Sequence, residues 1–117
     1  MERERCRTLL DERVPGSVEQ AVKDADTFFG VELPALAAWR FDADDADDAA
    51  AIRQPVLSVL GSDTQPLWVE VAAFLRSTVP DIEECVIDGV GHLLPIERSR
   101  PVAEAPARFL ARHPITA

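Results

Sequence analysis

Val86-Ile87-Asp88-Gly89-Val90-Gly91-His92-Leu93-Leu94-Pro95 is an apolar run that stops at two glycines and leads at once to one of the chain's two histidines. The apolar residues read as the end of a buried strand and the glycines as a tight turn, so the His92 imidazole is expected at the rim of a sheet.

Upstream, residues 82–87 give the body of that strand, with acids at its start. Residues 66–79 predict a helix with Leu67, Val71, Phe74, Leu75 and Thr78 on one face, closed by Pro80. Residues 55–61 form a continuous apolar run, which suits a strand buried on both faces of a parallel sheet. Ser62-Asp63-Thr64 follows at its carboxyl end. Downstream, Ser99-Arg100-Pro101 opens a last helix to about Arg112, with Val102, Ala105 and Phe109 inward and Pro106 in its interior. Strand, helix, strand, helix from residue 55 onward predicts a parallel α/β unit.

The first fifty residues read as helices only. Cys6, Leu9, Leu10 and Val14 share one face of a helix that Pro15-Gly16 ends. Ser17 and Gln20 have the spacing of a capping box, opening a second helix that carries Val18, Ala21, Val22, Ala25, Phe28 and Phe29 to a stop at Gly30. Pro34 suits the first turn of a short helix through Trp39. Asp42 is expected to cap a helix whose first turns hold Asp44, Asp45, Asp47 and Asp48, where the helix dipole favours negative charge. A calcium loop is the alternative for that cluster, but it lacks the turn glycine and the closing glutamate.

With 117 residues, 47% of them apolar, the chain is one folded domain's worth at most. Its 21 acidic residues against 12 basic ones give a net charge of −9, with no basic stripe, so phosphate backbones would be repelled and nucleic acid is not an expected partner. No segment is long and apolar enough for a membrane span, and the first residues lack the apolar core of a signal peptide. Cys6 and Cys85 are far apart and without a Cys-x-x-Cys pattern, so reduced thiols in a cytoplasmic protein are expected. Neither histidine has metal-ligand spacing, and no cofactor is indicated.

In an open parallel sheet, functional groups gather at the carboxyl ends of the strands, which here carry Asp63 and His92. A carboxylate that accepts an imidazole proton fixes the ring's tautomer and stabilises the imidazolium formed in catalysis, and these are two members of a Ser-His-Asp triad. On Gly61-Ser62-Asp63, Gly89-Val90-Gly91-His92 and Pro95, residues 52–113 resemble the C-terminal part of an α/β-hydrolase. The stretch 28–36 is similar to the helical cap such enzymes insert before their last two strands. The resemblance implies a partial α/β-hydrolase fold: a cap remnant over residues 1–50, then the last two parallel strands with flanking helices over 51–117.

By the same resemblance His92 is the general base and Asp63 its orienting carboxylate, with Asp88 the runner-up and Thr64 standing where many members place the acid. Phe28, Phe29, Trp39 and Leu93 are the implied contacts to a small ester-like substrate, although the three aromatic residues suit a small core equally, and Trp68, on a helix facing the sheet, is expected in the core. No Gly-x-Ser-x-Gly elbow occurs, and no oxyanion-hole loop is evident. The expectation is a truncated hydrolase with acid and base but no nucleophile, inactive alone. The alternatives are one half of a two-chain hydrolase, pairing or self-associating through an exposed strand edge, a non-catalytic binding or interaction domain, and a gene fragment.

Overall fold

The computed structural model describes residues 2–116 and divides them into two units, one ending at Asp42 and one beginning at Ala43.

The first unit is helical throughout: α1 (Arg3–Arg13), α2 (Ser17–Lys23), α3 (Ala25–Thr27), a π-helical turn (Phe28–Glu32) and α4 (Leu33–Ala38). Gly16, at φ 83°, supplies the left-handed corner between α1 and α2. The capping box does not form. Ser17 is the first residue inside α2, its hydroxyl is buried without a hydrogen-bond partner, and the Gln20 amide turns forward to the Asp24 carboxylate at 2.9 and 3.0 Å. Nor does Gly30 end a helix. The backbone widens into the π-helical turn at Phe28 and runs on through Gly30 into α4, with Pro34 in its first turn. None of the described residues of this unit is buried.

The second unit opens with the acidic helix α5 (Ala43–Ala50), which the sequence grouping attached to the first. It has Asp44 and Asp45 in its first turn and packs on α6. Then come β1 (Val56–Gly61), α6 (Pro66–Thr78), β2 (Ile82–Ile87), α7 (Leu94–Glu97) and α8 (Ser99–Arg112). The strands pair in parallel, from Val56 opposite Ile82 to Gly61 opposite Ile87, joined through α6 as parallel strands require. Both α6 and α8 pack on both strands. The core is Ala72, Val79, Ile87, Val90, Ala105 and Phe109, each at most 8% exposed.

Two expectations change. Residues 56–60 are half-buried rather than enclosed, because β1 has a neighbouring strand on one side only. Helix α6 turns a different face to the sheet: Ala72 is buried, with Trp68 and Leu75 half-buried, while Leu67 is 58% and Phe74 38% exposed. Since α6 is apolar most of the way round, periodicity alone offered both faces. Helix α8 has Ala105 and Phe109 inward as expected, and its end is tied to the start of β2, where Glu83 meets Arg112 and, at 3.3 Å, the His113 ring. Among the described residues no helix is long and apolar enough to cross a membrane.

Candidate functional site

The carboxyl ends of β1 and β2 are locked together by backbone. A side chain at Gly61 would place its Cβ 2.3 Å from the Val90 carbonyl oxygen and 2.4 Å from that of Gly91, so only glycine lets the two chain segments approach this closely. The Asp63 N–H then donates to the Val90 carbonyl at 2.9 Å, and the Ser62 N–H donates to Ile87 at 2.9 Å. Gly89, at φ 71°, turns the chain out of β2, and Val90 is buried beneath the crossing. The loops carrying Asp63 and His92 are therefore neighbours, held first by backbone hydrogen bonds.

Within this frame Ser62 is a hub. Its hydroxyl accepts the Gly89 N–H at 2.8 Å and lies 3.0 Å from an Asp63 carboxylate oxygen and 3.5 Å from one of Asp88. One hydroxyl has one proton to give, and the shorter distance directs it to Asp63. No hydrogen bond or ion pair joins His92 to Asp63 or to Asp88 among the described residues. The ring of His92 instead lies on the Trp68 indole, with centroids 4.4 Å apart and planes 3° from parallel. Sequence periodicity assigned Trp68 to the core. Its place in the first turn of α6, just beyond the Asp63 loop, was the signal that it borders the site.

Trp68 and His92 border an open groove of about 340 Å³ with Ser58, Val59, Leu60, Gly61, Thr64 and Val71 among its lining residues. Successive strand residues point to opposite faces, so four consecutive residues of β1 meet one groove only along the strand's edge. The hydrogen bonds fit this. Val56 donates to Asp81 and Ser62 to Ile87, so the even-numbered residues of β1 face β2, leaving the backbone of Leu57 and Val59 directed to the open edge. The Thr64 hydroxyl is buried here with no hydrogen-bond partner. Leu94 and Pro95 also line the groove, whereas the Leu93 carbonyl starts α7 by accepting the N–H groups of Ile96 and Glu97.

The other residues named from sequence belong to the first unit. Phe28 and Phe29 meet edge to face, centroids 5.0 Å apart, beside an open depression that also involves Ala21, Asp24 and Glu32. Trp39, 59% exposed, meets Phe41 edge to face at 6.0 Å. Cys6 and Cys85 are free thiols, both half-buried. Among the described residues no group of three or more His, Cys, Asp or Glu side chains is arranged to hold a metal ion.

No family model matches the sequence, and no curated protein does. Among solved structures the chain is similar to MGS-MChE2, an alpha/beta hydrolase enzyme from the metagenome of sediments from the lagoon of Mar Chica, Morocco, with a TM-score of 0.61 and 17% sequence identity. The match covers 85% of this chain and 46% of that one, so this chain spans less than half the length of the enzyme it resembles. At that identity the likeness is one of fold: two parallel strands with flanking helices in an α/β-hydrolase-like arrangement.

Proposed function

We propose that this chain is the acid–base portion of an α/β-hydrolase-type unit acting on a small ester-like substrate, with His92 the general base and Asp63 the carboxylate that orients it. The observation that carries this is the Gly61 crossing, with the Asp63 N–H bonded to the Val90 carbonyl, because it holds an acid loop and a histidine loop side by side at the carboxyl ends of adjacent parallel strands. For the triad to operate, Asp63 exchanges its bond from Ser62 for one from the His92 ring. A nucleophile-bearing segment outside these 117 residues, in the same polypeptide or another, adds a strand along the open edge of β1. The helices before Ala43 are the cap remnant in this reading, and Phe28, Phe29, Trp39 and Leu93 are the substrate contacts.

The test is ester hydrolysis. The purified chain alone should cleave a p-nitrophenyl ester no faster than an equal concentration of free imidazole, without saturation and without response to His92→Ala. Co-expressed with a nucleophile-bearing first half, it should give saturable turnover that His92→Ala and Asp63→Asn abolish. Saturable, His92-dependent turnover by the chain alone, or a completed assembly indifferent to His92→Ala, sinks the proposal. A second reading, a non-catalytic binding domain, is favoured by the Asp63 carboxylate being engaged by Ser62 rather than by His92. It is the outcome if the completed assembly binds a substrate analogue without turnover.

A further inference from the structure

His92 lies between Gly91 and Leu93 in a loop, and its ring makes no hydrogen bond among the described residues. A histidine side chain in such a setting rotates freely about two torsions unless something else holds it. What holds it is the Trp68 indole. Carbon surfaces meet at about 3.5 to 4.0 Å, so at a centroid separation of 4.4 Å with planes 3° apart the rings are parallel and, if their faces touch, laterally offset. Aromatic pairs favour that arrangement over direct superposition.

The two partners are unequal in rigidity. Trp68 belongs to the first turn of α6, where Pro66 fixes the backbone and the Trp68 N–H bonds to Gln65 at 3.0 Å. His92 has no such anchor. The stack therefore transmits the rigidity of α6 to the imidazole, across the mouth of the groove both rings border. It also leaves the chemistry open. Ring nitrogens carry their protons and lone pairs in the ring plane, so a face-to-face partner restrains the plane while occupying neither nitrogen.

We propose that Trp68 is the positioning residue for His92, setting the plane of the imidazole before any carboxylate or substrate meets its nitrogens. This rests on the reading of His92 as the base, but its test does not depend on turnover. The carbon-bound ring protons of His92, assigned by their disappearance in His92→Gln, should resonate upfield of their positions in the urea-unfolded chain, because they lie over the indole face. Trp68→Leu should return them to the unfolded positions and increase the ring's fast motion in side-chain relaxation. Trp68→Phe, which keeps an aromatic face, should preserve much of the shift and the order. A purely structural Trp68 would alter thermal stability in both variants and leave the His92 ring as it was.

Upfield His92 signals that persist in a folded Trp68→Leu variant overturn the proposal. Wild-type His92 signals already at the unfolded positions overturn it without any variant, so a failure of Trp68→Leu to fold leaves the matter decidable. Should the completed assembly ignore His92→Ala while the shift behaves as expected, the role as base fails and the stack stands.

Discussion

Gly61 is the residue on which the candidate site depends. Its hydrogen faces the Val90 and Gly91 carbonyl oxygens at distances no methyl group tolerates, and both neighbours are backbone, unable to swing aside. Gly61→Ala should therefore destabilise the chain by about 1–3 kcal/mol, as overpacking does, read as a lowered urea midpoint. It should also separate the Asp63 and His92 loops, read as loss of exchange protection at the Asp63 amide. Gly30→Ala is the contrast, since nothing lies within 4 Å of its Cβ position and its backbone is helical. It should be neutral or stabilising by up to about 1 kcal/mol. The positions of Gly61, Asp63 and His92 were legible in the sequence, because each falls where an apolar run bounded by turn residues ends. The Trp68 stack and the Ser62 hub were not. Each joins residues on different elements, and no periodicity within one element encodes which side chains meet across two.

The elements that periodicity located well are β1, β2, α6 and α8, where apolar runs are continuous or strongly one-sided. The failures lie where a local signal competes with packing. Ser17 and Gln20 have capping-box spacing, yet Gly16 takes the cap position and leaves the Ser17 hydroxyl buried and unpartnered. A working cap would make Ser17→Ala cost about 1 kcal/mol. Here the substitution removes an unsatisfied group, so the helical melt followed by circular dichroism should be unchanged or shifted upward. Similarly, nothing in Phe28-Phe29-Gly30 announces the widening from an α- to a π-helical turn, because the residue types suit either. Between elements, Glu83 bonds the end of α8 through Arg112 and His113, all partly exposed. Glu83→Gln should cost about 0.5–1 kcal/mol in dilute buffer and less in concentrated salt, the expected size and screening of a surface ion pair.

Across the whole chain, stability is divided unevenly between the two units. Every buried apolar residue among those described lies beyond Asp42, in the unit built on β1 and β2, while the helices before it bury none. Helices as short as α2, α3 and α4 are not stable in water through their own hydrogen bonds, because nucleation costs more than a few turns return. What orders them is apolar contact, and here Val22, Phe29, Leu36 and Trp39 are between 59% and 72% exposed. Segments with few buried contacts open at low free energy, whereas amides in a packed sheet exchange only on larger unfolding. In native-state hydrogen exchange, amides of residues 3–38 should exchange at close to unprotected rates. Those of the paired strands, such as Leu60 and Cys85, should be the slowest in the chain. Low-dose proteolysis should cut first among the same N-terminal residues. Equal protection of the two units would mean that the apolar side chains of the first are covered in solution. The proposed addition of a nucleophile-bearing segment would then be expected to slow exchange mainly in β1, where Leu57 and Val59 present their backbone N–H groups to the open edge.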